Sequence, residues 1–351
     1  MLAPVTHILA LTAIQRERLL PVPGVVNARI NQRVSASDVV AEAHWAREHV
    51  LIDVARKLGV ASAVADRLIR CAEGDQVVAN ALIASGKGVF PREVRAPRDG
   101  RVAVVGGGRV LLEVGEVNVE LRAGLPGQVT QIVPDRGVVI QTAGALVQGV
   151  WGNGRIDAGQ LINLMEKPDS EFDAGRLDVS LRGFVILGGA AGKAEALRAA
   201  AELPVRGLIL SSLHPALIPT ALQMRYPILV MDGFGKLPMN SAAYRLLSTN
   251  VNREATVNAE TFDRYSGARP EAIIPLPVAS EPAPPLDVEE FAAGQQARLR
   301  AAPHYGAIAS IVRLLPGLTT LPSGLRAPAA EVRLEAGGET IVPLANLEVV
   351  G

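Results

Sequence analysis

Three apolar runs of strand length each end in residues that could hold a ligand. Phe184-Val-Ile-Leu187 leads into Gly188 and Gly189, Leu208-Ile-Leu210 into Ser211, Ser212 and His214, and Ile228-Leu-Val-Met231 into Asp232-Gly-Phe-Gly235 and Lys236. Asn258 closes a further run, Glu254-Ala-Thr-Val-Asn258. Glycines there let backbone N–H groups approach an anion, and the start of a following helix adds a favourable dipole. With Lys193, these positions form a candidate site for a small anion or nucleotide, in the crevice beyond the carboxyl ends of the strands.

The individual residues admit a structural and a chemical role. Leu187-Gly-Gly-Ala-Ala-Gly-Lys193 departs from a phosphate loop, which would place glycine at Leu187 and Ser or Thr at Ala194. Asp232 is placed for a general base or a ribose-binding acid, and equally to accept from the turn amides of Gly233 and Phe234. His214 precedes Pro215 and reads as a residue of a helix cap before it reads as a base. His44 and His49 are five apart and do not share a helix face, so no metal pair is expected. Gln148-Gly-Val-Trp-Gly-Asn-Gly154 reads as a loop docked through Trp151, with a ligand lid as the alternative.

Helix-competent stretches follow the three runs, at Lys193–Glu202, Pro215–Met224 and Ser241–Ser248. Strands alternating with helices predict a parallel-sheet α/β domain over 180–278. Ahead of it, Pro21 to about Met165 is a series of short Val/Ile/Leu runs punctuated by Gly, Pro and Asp. An internal echo lies there: Asn31-Gln-Arg-Val-Ser-Ala-Ser-Asp-Val-Val-Ala41 returns as Gly74-Asp-Gln-Val-Val-Ala-Asn-Ala-Leu-Ile-Ala84. The echo predicts a quasi-symmetric β-sandwich over 21–115 carrying an inserted mixed segment, 42–71, in which Asp53 to Leu58 forms a short helix ended by Gly59. Residues 116–168 read as a small β extension. Residues 279–301 read as a Pro-rich linker and a helix from Val288 to Ala301, and 302–351 as a small β-barrel built around Glu331-Val-Arg-Leu-Glu335, the Gly337-Gly338 turn and Thr340-Ile-Val-Pro343.

The 351 residues carry 35 basic and 35 acidic side chains, so no global field favours nucleic acid or an anionic membrane. Aromatics at 3% leave little material for stacking bases or sugars. One cysteine, Cys71, can form no intrachain disulfide, and no apolar stretch reaches the length of a membrane span. A cytoplasmic protein with no cofactor and no metal is expected.

The first β region resembles the barrel-sandwich hybrid superfamily of biotinyl and lipoyl carrier domains, which also heads a subunit of a membrane-bound ferredoxin-oxidising complex. Glu73-Gly-Asp-Gln-Val77, Leu82-Ile-Ala84 and Arg95-Ala-Pro-Arg-Asp-Gly-Arg-Val102 carry the resemblance. A carrier lysine would sit about seven residues before the Ala-Pro pair; Lys87 stands nine before Ala96, in Ser85-Gly-Lys-Gly-Val-Phe90, so no covalent cofactor is implied. The C-terminal region is similar to a KOW-type small barrel, with Arg313, Arg326 and Arg333 set against Glu331, Glu335, Glu339 and Glu348. That balance implies protein contact before nucleic acid. The order of hybrid sandwich, Rossmann-like α/β domain and small barrel resembles an uncharacterised bacterial multidomain family, which supplies a domain order and no activity.

The sequence therefore leads to two expectations. One is a non-enzymatic binding or assembly protein with a protein partner, which also takes a small anionic ligand. The other is an enzyme or regulator working at the crevice.

Overall fold

The two echoing segments fold into the same turn. In a computed structural model that describes residues 2–87, 91–263, 268–280, 282–286 and 288–351, the amide of Gln32 donates to the carbonyl of Arg29 and that of Asp75 to Ala72. The Gln32 and Asp75 side chains accept in turn from the amides of Arg29 and Ala72. Asn31 and Gly74, at equivalent places, have φ of +67° and +93°, a region open to asparagine and glycine at low cost. Each turn then seats a two-residue strand against a glycine, Arg33–Val34 against Gly127 and Gln76–Val77 against Gly100. A Cβ on Gly127 or Gly100 would stand 2.4 or 2.3 Å from a neighbouring carbonyl oxygen, so the close approach requires glycine.

The two copies enter different sheets. Gln76–Val77 edges a five-stranded sheet that continues through Gly100–Gly106, Arg109–Arg122, Val39–Asp53 and Val25–Val26. Its spine is the long antiparallel ribbon of Val39–Asp53 with Arg109–Arg122. Residues 42–53 are thus part of a continuous strand, and the mixed segment begins only at Val54–Leu58. That helix is capped by the Asp53 carboxylate on the Arg56 amide and ended by Gly59 at φ +71°. Gly88, Val89 and Phe90 of the Lys87 hairpin, and Glu281 and Asp287 of the Pro-rich linker, lie outside the described residues.

Arg33–Val34 edges a mixed sheet of eleven strands. Ile156–Asn163, Phe184–Gly188, Gly207–Leu213 and Ile228–Phe234 run parallel within it. Beyond Ile156–Asn163 the sheet turns antiparallel through Glu254–Asn258, Glu271–Pro275, Gly137–Gln148 and Gly127–Val133, with Ile8–Leu19 also paired to Gly137–Gln148. The expectation of a parallel-sheet, Rossmann-like α/β domain is therefore corrected. The fold is mostly β, 46% strand against 14% helix, because the parallel strands are one part of a larger mixed sheet and the helices between them are short. Apolar runs mark strands covered on both faces, and here Leu208 and Leu210 face Ala194–Glu202 while Ile209 faces Ser241–Thr249. They do not reveal what pairs at the sheet's far side.

The C-terminal region is a six-stranded sheet in the order Val5–Thr6, Leu347–Val350, Gln296–Leu299, Ile308–Leu314, Ala329–Leu334 and Glu339–Pro343. Among the described residues none of the sheets closes, so the small barrel and the barrel-sandwich hybrid are corrected to open sheets. The helix expected from Val288 to Ala301 is replaced by strands Glu289–Glu290 and Gln296–Leu299. Phe291 and Leu299, eight apart, share a face in either conformation, and both are buried in the core of this sheet. No helix among the described residues is long and apolar enough to cross a membrane.

Candidate functional site

Parallel strands open their carboxyl ends on one side, and a cavity of about 250 Å³ lies there. Lys193, His214 and Lys236 line it together with Glu171, Asp173 and Glu195, over a floor that includes Phe172, Ala174, Ala190 and Ala196. Three of the nine expected site residues are thus brought together. Two lysines face three carboxylates, so the cavity has no surplus positive charge for an anion.

Two of the charged groups are engaged with each other, and Asp173 accepts from the Gly175 amide. Lys236 Nζ meets Glu171 Oε1 at 2.5 Å. Their mutual hydrogen bond, aided by their opposite charges, lowers the Glu171 pKa and raises that of Lys236. His214 Nδ1 accepts from the Ala216 amide at 3.3 Å and caps the short helix Pro215–Leu217, which has Pro215 in its first turn.

The other expected residues point elsewhere. Gly188 and Gly189 let the chain at 170–172 lie directly on the sheet: a Cβ on Gly189 would be 1.7 Å from the Ser170 carbonyl oxygen, and one on Gly188 would be 2.8 Å from the Phe172 ring. Ser212 Oγ sits 3.0 Å from both the amide and the carbonyl of Leu237 and fixes the loop after Ile228–Phe234. Ser211 Oγ is buried with no hydrogen-bond partner among the described residues. Asn258 ends its strand between Ile156 and Glu271 and donates to Glu260 at 3.3 Å.

Asp232 is 2% exposed. Its two carboxylate oxygens accept from the backbone and side-chain amides of Asn240, each at 2.9 Å, while Asn240 Oδ1 accepts from Ala243 and caps Ser241–Thr249. Arg298, from the C-terminal sheet, approaches Asp232 Oδ1 at 3.4 Å and donates to the Met231 carbonyl at 3.1 Å. Burial pushes the Asp232 carboxyl above its usual range, against the pull of Arg298 and the Asn240 bonds.

Arg298 also binds Glu348, at 2.6 Å through Nη2 and 3.2 Å through Nε. Glu348 accepts from Thr6 Oγ1 at 2.5 Å and from Arg269 at 3.2 Å. Burial opposes the charge on Glu348, but Arg298, the Thr6 and Arg298 hydrogen bonds and nearby Arg300 outweigh it and hold the carboxyl down at about 2. Sequence reasoning missed this buried chain of charges. The signal that the sequence carries is Arg298 standing between apolar Ala297 and Leu299.

The Gly/Trp segment lies at the edge of the same parallel strands. Trp151–Gly152 pairs antiparallel with Leu229 and Val230, and the Trp151 ring meets Phe234 edge-on at 6.2 Å. Asn153 donates to the carbonyls of Ala221 and Tyr226 and accepts from the Ile228 amide, which docks the loop. Among the described residues no group of three or more His, Cys, Asp or Glu side chains is placed to hold a metal ion. No family model matches the chain, and no curated protein matches it.

Proposed function

We propose that this chain is a non-enzymatic binding or assembly protein of the cytoplasm that works through a protein partner. The observation that carries this reading is the engagement of Asp232. The best-placed acid for a general base is bonded to Asn240 and Arg298 and joins the C-terminal sheet to the mixed sheet. A catalytic base must reach a substrate proton, either directly or through one water. Asp232 does not line the cavity, and its carboxylate already holds three donors.

The β units carry large apolar side chains in the open. Leu318 and Leu325 flank the small hairpin Thr319–Thr320 with Arg326–Ala327 and are 55% and 69% exposed. Large apolar side chains left in the open on a hairpin offer a surface that a partner can cover. The test is co-purification from native extract with the wild type, with Leu318→Asp plus Leu325→Asp, and with Lys236→Ala. The reading predicts a bound partner that is lost only from the leucine pair. Turnover of a nucleotide, sugar phosphate or coenzyme that Lys236→Ala or His214→Ala abolishes would overturn it.

A further inference from the structure

The parallel strands carry a second cleft at their amino ends, and it is basic. Arg182 precedes Phe184–Gly188 by two residues, Arg206 directly precedes Gly207–Leu213, and Arg225 precedes Ile228–Phe234 by three. The parallel register sets Val185 beside Gly207 and Leu208 beside Ile228. The three arginines therefore form a row along one end of the sheet. From first to last it crosses two strand spacings, about 10 Å.

All three line one cleft of about 710 Å³, with Asp157 as its single acid among the described residues. Asp157 pairs with Arg206 at 3.2 Å, while Arg182 and Arg225 have no carboxylate partner among the described residues. The net charge of the lining is two positive, in a chain whose total charge is zero. Gly159 makes room for the row, since a Cβ there would lie 2.9 Å from the Arg206 stem.

Two of the arginines have a structural role available. Arg206 follows the helix Ala194–Glu202 and Arg225 follows Ile218–Gln223, and a cation near a helix C-terminus is favourable. That role needs one cation at each of two separate helix ends. It does not account for Arg182 or for the convergence of all three side chains on one cleft. Guanidinium groups bind phosphate oxygens through paired donors, which suits closely spaced phosphates better than a lone carboxylate. A nucleic-acid backbone would want more contacts than one short row supplies.

We infer that the cleft of Arg182, Arg206 and Arg225 binds the phosphate chain of a small molecule, at the end of the sheet opposite the cavity of Lys193, His214 and Lys236. The probe is inorganic triphosphate, titrated into the full chain by calorimetry at low ionic strength. One saturable site is expected in the wild type. Arg182→Ala plus Arg225→Ala should weaken it at least tenfold, and Lys193→Ala plus Lys236→Ala should leave it unchanged. These two arginines are exposed and form no ion pair among the described residues, so their loss should leave the melting temperature near that of the wild type. No binding by the wild type, undiminished binding by the arginine pair, or loss in the lysine pair would overturn the assignment. Adenosine triphosphate run alongside separates two sources: equal affinity assigns the phosphate chain alone, and tighter binding assigns a nucleotide.

Discussion

The Ser170 carbonyl oxygen occupies the place where a side chain on Gly189 would begin, 1.7 Å from an ideal Cβ. The contact is held from both sides, since Ala190 donates to that same oxygen at 2.9 Å and Phe172 donates back to the Ala190 carbonyl at 2.9 Å. Gly189 is thus needed for chain-on-chain packing rather than for the approach of an anion. Gly189→Ala should destabilise by about 3 kcal/mol, the upper range for forcing atoms into a filled site. Gly192→Ala, with nothing within 4 Å of its Cβ, should stay within about 0.5 kcal/mol of the wild type. Urea unfolding of the two variants checks both.

Stability should fall on acidification through Glu348. Its carboxyl sits at about 2 when folded, against an ordinary 4.5. A depressed folded value contributes stability that is complete above the unfolded value and is lost as the pH falls toward the folded one. The loss should therefore run from about pH 4.5 to about pH 2 and amount to about 3 kcal/mol. Asp232, raised by burial, acts in the opposite sense, so the comparison that isolates Glu348 is with Glu348→Gln. Urea midpoints measured against pH should show a flatter acid limb in that variant.

Ser211 and Thr256 each bury a hydroxyl with no hydrogen-bond partner among the described residues. An unsatisfied buried oxygen costs about 1–3 kcal/mol, part of which is recovered when an apolar group of like shape replaces it. Ser211→Ala and Thr256→Val should each leave stability unchanged or raise it by about 1 kcal/mol, read as a higher melting temperature. A marked loss from Ser211→Ala would give its hydroxyl a working role.

The parts of the fold legible in the sequence are those set by local chemistry. Asn31 and Gly74 mark equivalent left-handed turns, Asp53 and Gly59 bracket a helix, and the apolar runs at 184–187, 208–210 and 228–231 are strands. What was not legible is partnership at long range. Thr6 reaches Glu348 and Arg16 reaches Glu271, contacts between chain segments that no local pattern connects. The strand Ile8–Leu19 lies antiparallel along Gly137–Gln148, a pairing that its own residues do not announce.

The candidate site shows the same division. Lys193, His214 and Lys236 converge because each follows the end of a parallel strand, which the run-and-breaker pattern disclosed. Gly188, Gly189, Ser211, Ser212, Asp232 and Asn258 carry the right chemistry at the right strand ends, but their surroundings come from elsewhere in the chain. For Asp232 the deciding neighbour is Arg298, whose run resembled a helix because Phe291 and Leu299 fit both periods. The arginine row had a visible sign in Arg182-Gly-Phe and Arg206-Gly-Leu, each just ahead of an apolar run.

That Asp232 joins two sheets instead of serving as a base is tested by a double-mutant cycle on Asp232 and Arg298 read by urea unfolding. Arg298→Met leaves the buried Asp232 carboxylate without its arginine, which costs about 3–5 kcal/mol, whereas Asp232→Asn leaves Arg298 paired with Glu348 and costs less. The double variant should fall well short of the sum, with a coupling of about 2 kcal/mol. Single variants that add within about 0.5 kcal/mol would contradict it, because residues that do not interact behave in that way.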